Sequence, residues 1–378
     1  MPGVILPNLA DRARPWSRLR GRAGAGLGRV RSSWWSIGQS ALGGALAWEV
    51  AVRLLGHPAP FFAAVAAIVS LSISVLNRMR RVFELALGVT IGVGLGDLLV
   101  REIGRGGWQL GLVVLTAMTA ALLLDGGSLI VNQAALQAVF VTALPPPAGG
   151  YVGRWQDALA GGVMALLIAF LLPADPRPAM RADAAQVTHA VADALRGSAA
   201  AARDGDAEAA FQALERARAT QPMLTGWSQA VRAGEEISRL SPLRRHAEPE
   251  IAAHRRSLDP VVRAVRNLRV ALRRMVAAVE DGELSGDRPA VPAALLDRLD
   301  DLAGAVHTLP GAMRDPDGEG GRRAVAALTS LAGRLDPGRL AAGSLSATVV
   351  VAQLRSAVVD LLQVPGLTEP QARAELRR

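Results

Sequence analysis

The chain has 378 residues, of which 51% are hydrophobic, 20% are charged and 4% are aromatic, and its formal net charge is +9. All 42 basic residues are arginine and there is no cysteine, which excludes a P-loop lysine, a Schiff-base lysine, disulfides and thiolate metal sites. We therefore expect no enzyme, no cofactor and no bound metal. A high positive charge can indicate a nucleic-acid partner, but a membrane protein also carries an excess of arginine, which it holds on the cytoplasmic side. The charge alone therefore does not indicate a nucleic-acid partner.

Hydrophobic residues are distributed unevenly along the chain. Residues 34–173 are almost continuously apolar, whereas the following segment is rich in Arg, Asp and Glu. Buried core helices of a soluble protein would be shorter and would show a polar stripe, so we expect lipid around the first half. The sequence thus predicts an all-α protein. Its parts are a basic cytoplasmic tail at 1–32, a six-helix transmembrane bundle at 33–173 and a cytoplasmic amphipathic helical bundle at 174–378.

Six apolar runs of about 17 to 22 residues have the length that crosses a hydrocarbon core. Turn-forming segments rich in Gly, Pro and Asp separate most of these runs, and Trp and Tyr residues stand at their edges, where the lipid headgroups lie. The predicted spans are 34–55, 58–76, 82–100, 108–124, 128–144 and 155–172.

Arginine placement predicts the orientation of the spans. Seven arginines precede the first span, and three more at 78–81 lie between the second and third, so both segments are expected in the cytoplasm. An even number of spans then places both termini on the inner side of a bacterial plasma membrane. Residues 1–32 contain no continuous apolar segment, so we expect no cleaved signal peptide. The positive charges left for the outer side are Arg101, Arg105 and Arg154.

Three acidic residues inside the predicted spans are candidates for a substrate or ion pathway, because ionisable groups are costly at the bilayer centre. Glu49 has Arg53 four residues later, which allows either an internal ion pair or snorkelling of both side chains to the outer interface. Arg81 and Glu84, about one turn apart near the inner interface, form either a local salt bridge or part of a proton relay. Asp97 is the third acidic candidate.

The third predicted span carries a GxxxGxxxG face made by Gly88, Gly92 and Gly96. Small residues at this spacing let a neighbouring helix approach closely, so we expect helix packing there. Asp97 follows directly, near the outer end of the span. On the packing interpretation this carboxylate lies at the exposed end of the helix.

Uncharged amides form the remaining pathway candidates. Asn132, Gln133 and Gln137 lie on the fifth predicted span and cannot all face lipid cheaply, so part of that helix must face protein or a wet cavity. Gln39 adds a similar group to the first span. Such amides hydrogen-bond either to neighbouring helices or to a carboxylate or hydroxyl group of a solute, and the sequence leaves both uses open.

The second half shows amphipathic helical periodicity, with apolar residues three and four apart from Val261 to Val279. Turn signals predict a bundle of five or six helices. They lie at 241–242, 281–282, 315–321 and 336–338. An arginine-rich flank opposite the apolar seam is interpreted as a solvated or lipid-facing surface, with an anion or regulator site as the alternative. Its members are Arg263, Arg266, Arg269, Arg273 and Arg274.

The order of these features resembles that of a known family. A first span with Gln39 ends in the segment LLGHPAPF at 54–61, the turn NRMRR follows at 77–81 with Glu84, and the glycine face comes next. This pattern resembles the fusaric acid resistance and aromatic acid exporter superfamily, to which the aluminium-activated malate transporters of plants are distantly similar. The best-matched positions are Arg78, Arg81, Glu84 and the three glycines.

The resemblance implies a six-helix transport unit with a cytoplasmic helical domain that works as a homodimer. We therefore expect a secondary exporter of small aromatic or carboxylated compounds, with lipid, a second copy of the chain and a small organic anion as its partners. The alternatives are an organic-anion channel and a membrane-anchored scaffold that acts through the cytoplasmic bundle.

Overall fold

The computed structural model of the chain is helical. It describes residues 14–71, 78–124, 128–145, 151–172, 175–285, 291–341 and 344–377. Within these segments there is no strand, so the prediction of an all-α protein is confirmed. The chain divides into two compact units, Met1–Ala174 and Asp175–Arg378.

The described part of the first unit contains six helices, and each overlaps one predicted span. They are α1 (Arg14–Leu55), α2 (Phe61–Leu71), α3 (Arg78–Ile103), α4 (Gly107–Leu124), α5 (Ser128–Ala143) and α6 (Tyr151–Leu171). Helix α1 begins well before the predicted start at residue 34. Helix α3 is the central element, since it packs against α2, α4, α5 and α6, while α1 packs against α2 and α6. Gly56 and Gly104, at φ 72° and 74°, follow the last residues of α1 and α3. A left-handed glycine in that position is a common helix end.

The glycine face of α3 lies against α5. A Cβ atom placed on Gly92 would be 2.5 Å from the carbonyl oxygen of Ala134 and 2.9 Å from its Cα. Gly88 lies similarly close to Ile130 and Gly96 to Val141. The two backbones can approach this closely only because the three positions have no side chain.

The outer surface of the first unit is apolar. Among the described residues, all but three of the exposed large hydrophobic side chains belong to this unit, and the three exceptions are Phe211, Val262 and Leu345. Leu115 on α4 is 62% exposed and Leu123 is 83% exposed. Exposed apolar side chains concentrated on one unit in this way are typical of a surface that faces lipid.

Three helices of the described chain are long and apolar enough to cross a membrane: Val82–Ile103, Gly153–Leu171 and Leu345–Leu362. The other apolar helices are shorter, and the 11 residues of α2 extend only about 16 Å. The six-span bundle and its orientation therefore stay predictions. Residues 72–76, with which the second predicted span ends, lie outside the described residues.

The second unit is a helical bundle with more elements than the five or six expected. Its helices are α7 (Arg177–Asp204), α8 (Ala207–Arg218), α9 (Thr220–Leu240), a 3₁₀ helix (Pro242–Ala247), α10 (Glu248–Ser285), α11 (Ala293–Val306), α12 (Leu309–Arg314), α13 (Glu319–Ala332), α14 (Pro337–Leu340), α15 (Leu345–Leu362) and α16 (Glu369–Glu375). The predicted break at 281–282 is wrong, because α10 continues to Ser285. Helix α10 packs against α7, α8, α9, α12 and α15 and forms the centre of the unit.

Helix α15 is apolar because the bundle buries it. Val351, Leu354 and Val358 are fully buried, and the helix packs against α10, α11, α13, α14 and α16. Its buried Asp360 accepts hydrogen bonds from Arg263 Nε at 2.8 Å and Asn267 Nδ2 at 3.0 Å, both on α10. We therefore interpret α15 as the core helix of the second unit, although its length and composition would allow a membrane span.

The arginine flank of α10 is not uniform. Arg263 pairs with Asp360 of α15, and Arg269 donates to the Ala217 carbonyl oxygen at 3.1 Å and to Thr220 Oγ1 at 3.0 Å. These two arginines therefore fasten neighbouring helices to α10. Arg266, Arg273 and Arg274 are exposed, as a solvated flank requires.

A buried histidine joins α9 to α10. Trp227 Nε1 donates to His254 Nδ1 at 3.1 Å, and both side chains are almost completely buried. Burial lowers the pKa of His254 to about 4, because desolvation disfavours the imidazolium and outweighs the nearby carboxylate of Glu250. That carboxylate is held by Arg181, whose Nε and Nη2 lie 2.5 and 2.7 Å from its two oxygens. His254 is therefore a neutral structural group at physiological pH.

The contact between α3 and α5 can be tested with two matched substitutions. We expect Gly92→Ala to lower the free energy of unfolding by about 1–3 kcal/mol, because the new methyl group meets the backbone of Ala134, which cannot move aside alone. Gly111→Ala on α4 is the control, since a Cβ atom there meets nothing within 4 Å and alanine favours the helix. Thermal unfolding of the full chain in detergent measures both. Equal melting temperatures for the two variants would contradict the packing.

Candidate functional site

A buried ion pair lies between α3 and α6. Arg154 Nη1 donates to Asp97 Oδ1 at 3.2 Å, and the side chains of Arg154 and Asp97 are only 4% and 6% exposed. The other carboxylate oxygen of Asp97 is buried without a hydrogen-bond partner among the described residues. An ion pair in such a place costs desolvation free energy and is often weaker than apolar packing, so its presence calls for a reason beyond stability.

Arg154 also binds the carboxyl end of α5. Its Nη1 donates to the carbonyl oxygen of Val141 at 3.0 Å, and its Nη2 donates to those of Leu144, at 2.9 Å, and Pro145. The last carbonyl groups of a helix have no partner within the helix and carry its partial negative charge. The guanidinium therefore satisfies these carbonyl groups and fixes α6 against α5. The ring of Phe62 on α2 covers it, with the Cζ atom 5.7 Å from the ring centroid.

A second polar pair lies one turn further along α6. His57 Nδ1 is 2.6 Å from Asp157 Oδ1, and their side chains are 19% and 7% exposed. His57 belongs to the connection between α1 and α2, and its ring packs beside Gly153. Asp157 follows Arg154 by three residues, so the two side chains lie on the same side of the helix. Together the two pairs form what we call the polar cluster: His57, Asp97, Arg154 and Asp157.

Gln137 lies one turn before Val141 on α5, at the contact between α5 and the glycine face of α3. Its side chain is fully buried, and neither amide atom has a hydrogen-bond partner among the described residues. Buried polar groups nearly always have partners, which include water and ligands. Gln133 is also buried, whereas Asn132 is exposed. On the fifth predicted span, Gln133 and Gln137 therefore face other helices of the unit, whereas the side chain of Asn132 does not.

The remaining predicted candidates lie elsewhere. Gln39 is buried and its Nε2 donates to the Leu172 carbonyl oxygen, which joins α1 to the end of α6. Glu49 pairs with Arg53 at 2.8 Å on an exposed face. Glu84 is half-buried near the start of α3. The side chain of Arg81, its expected neighbour, lies outside the described residues.

One expectation from the sequence is wrong. Asp97 does not lie at the exposed end of a packing helix, because it is buried against Arg154. The placement of Arg154 on the outer side stays a prediction. Sequence reasoning also missed His57 and Asp157. Asp157 lies inside the predicted sixth span, so the rule that selected Glu49, Glu84 and Asp97 should have selected it too.

The described part of the chain offers little support for other kinds of site. It contains no group of three or more His, Cys, Asp or Glu side chains that could hold a metal ion. A cavity of about 440 Å³ lies beside α15 and α16 in the second unit, but its arginines are engaged. Arg355 donates to the carbonyl oxygens of Leu335 and Leu376, and Arg373 pairs with Glu369.

Comparison with known proteins places the polar cluster in a shared region. Residues 46–168 match the family model described as fusaric acid resistance protein-like, and this region contains all four residues of the cluster and Gln137. An uncharacterized protein of Corynebacterium glutamicum is 35% identical over 353 residues, which cover 92% of this chain and 89% of that protein. Proteins of Mycobacterium tuberculosis and Mycobacterium bovis, each named "Putative arylamide transporter", are 34% identical over 173 residues. That match covers 44% of this chain and 49% of each relative. No solved structure matches significantly.

The two roles of Arg154 in the fold predict unequal effects of substitution. We expect Arg154→Gln to lower the free energy of unfolding by about 3–5 kcal/mol, because it leaves the Asp97 carboxylate buried without a cation. The double variant Asp97→Asn with Arg154→Gln should lose less, since neither charge remains. Arg101→Gln on α3 is the control, because Arg101 is exposed in its contact with Glu102. Thermal unfolding in detergent measures all three. A loss for Arg154→Gln no greater than that for Arg101→Gln would contradict the buried pair.

Proposed function

Because the chain belongs to the fusaric acid resistance protein-like family, we propose that it is a membrane transporter that exports small aromatic or carboxylated compounds from a bacterial cell. The observation that carries the proposal is the polar cluster inside a helical unit whose outer surface is apolar. Intramembrane charges are expensive and mark solute or proton pathways. The mycobacterial relatives named for arylamide transport point to an aromatic compound.

A scaffold that only uses the membrane as an anchor is less well supported. Anchoring needs one or two apolar helices and no buried ion pair, and lipid-facing helices are cheaper when they are apolar throughout. The unit instead keeps an Arg, two Asp and a His in its interior, together with a Gln that has no hydrogen-bond partner among the described residues. These groups suit a site that a hydrated or polar solute enters.

The remaining features of the proposal extend the same account. We propose six spans, both termini in the cytoplasm, the second unit as a cytoplasmic domain and a homodimer as the working form. The chain acts without a cofactor and catalyses no reaction. The predicted pathway candidates outside the polar cluster stay candidates for the path of the solute: Gln39, Glu49, Arg81, Glu84, Asn132, Gln133 and Gln137.

Transport by the purified chain tests the proposal. Benzoate and benzamide are an aromatic acid and an arylamide of the same size. We expect proteoliposomes that contain the full chain to take up at least one of them with saturable kinetics. The rate should be at least tenfold that of empty liposomes, which corresponds to a transport barrier lower by about 1.4 kcal/mol. Radiolabelled uptake measures both compounds.

The outcomes of this assay separate the candidate functions. Unitary currents carried by benzoate in a planar bilayer would replace the carrier by an organic-anion channel. Uptake no faster than that of empty liposomes for both compounds would contradict the proposed function.

A further inference from the structure

The guanidinium of Arg154 is held far more firmly than the carboxylate that it faces. Carbonyl oxygens of Val141, Leu144 and Pro145 fix it from the side of α5, at distances that include 3.0 and 2.9 Å. These contacts do not depend on Asp97. The position of the positive charge is therefore set by the end of α5, whichever anion lies on its other side.

Asp97 is held weakly. Its single hydrogen bond from Arg154 is 3.2 Å long, whereas charge-assisted N–H···O bonds are typically about 2.7–2.9 Å. One oxygen has no hydrogen-bond partner among the described residues, although a carboxylate can accept bonds on both oxygens. Arg154 and Asp97 are thus joined by one hydrogen bond, whereas an arginine and a carboxylate can form two parallel ones.

Few other charges surround this pair. The sequences of α2, α4 and α5, which pack against α3, contain no ionisable side chain. The charged groups on the remaining neighbours are Asp157 of α6, which is paired with His57, and Arg105 in the connection after α3. If Asp97 becomes neutral, the guanidinium requires another anion.

From this geometry we infer that Arg154 binds the carboxylate group of a transported compound, and that Asp97 takes its place when no compound is bound. The inference rests on the proposed transport function and goes beyond it by naming the residue that binds the carboxylate of the solute and the residue that competes with it. Gln137 is buried one turn before Val141 on α5, and its amide has no hydrogen-bond partner in the part of the chain that the structure describes. It is therefore positioned to hydrogen-bond a polar group of the same solute.

Exchange of the two carboxylates carries a proton. An ionised Asp97 that leaves Arg154 would be a buried charge without a cation, so it takes up one proton from water as the solute carboxylate arrives. The guanidinium then pairs with the solute carboxylate. The total charge of the site is unchanged, because the negative charge of the solute is balanced by the proton on Asp97. When the solute leaves, Asp97 releases the proton and returns to Arg154.

Uptake of benzoate and benzamide by proteoliposomes of the full chain tests this assignment, because the two probes differ in charge. Arg154→Gln should slow benzoate transport at least about tenfold more than it slows benzamide transport, since only benzoate loses a charge-assisted pair. Asp97→Asn should act in the opposite direction and lower the half-saturation concentration of benzoate, because the competing carboxylate is gone. Arg101→Gln is the control and should leave both probes unchanged.

The double variant Asp97→Asn with Arg154→Gln keeps the test decisive if Arg154→Gln alone does not fold. It should lose benzoate transport at least about tenfold more than benzamide transport. A proportional loss of both probes, no loss of either, or a weaker benzoate affinity in Asp97→Asn would overturn the inference. Wild-type transport of benzamide without benzoate would overturn it as well and leave the proposed function standing, whereas transport of neither would end both.

Discussion

The first unit lies in hydrocarbon, and this solvent decides where its polar groups find hydrogen-bond partners. No water reaches a lipid-facing backbone, so each helix must complete its own hydrogen bonds and find partners for the carbonyl groups at its end. The large exposed side chains of the unit are accordingly Leu, Phe, Trp and other apolar residues, while the four side chains of the polar cluster meet one another inside. The arrangement is that of a membrane protein whose polar chemistry is kept between the helices.

Arg154 connects this constraint to the proposed function. One side chain satisfies the carbonyl groups at the end of α5, reaches Asp97 on α3 and fixes α6 between them. The close approach of α3 and α5 at Gly92 keeps the two helices near enough for this contact. A positive charge that the backbone holds in place can exchange one carboxylate for another without moving, which is what binding of an anionic solute requires.

Local patterns predicted the helices of the first unit, because the length of an apolar run and the turn residues beside it are read directly from the sequence. The family resemblance, drawn from the segment at 54–61, the turn at 77–81 with Glu84 and the glycine face, is confirmed. The burial of Asp97 could not be predicted in this way, because its partner is 57 residues away on another helix. The position of Asp97 near the end of its span suggested that the side chain is exposed, but contacts with another helix decide its burial. Helix α10 continues past the break predicted at 281–282. Local turn signals are weak, and tertiary packing can override them.

Accessibility of spin labels tests most directly whether lipid surrounds the first unit. The chain has no cysteine, so single cysteines can be introduced at Leu115 on α4, Leu167 on α6 and Leu345 on α15, all of which are exposed. In proteoliposomes we predict that labels at Leu115 and Leu167 collide more often with oxygen, which concentrates in lipid, than with a water-soluble nickel complex, and that the label at Leu345 shows the reverse. More frequent collisions with the nickel complex at Leu115 and Leu167 would contradict the account.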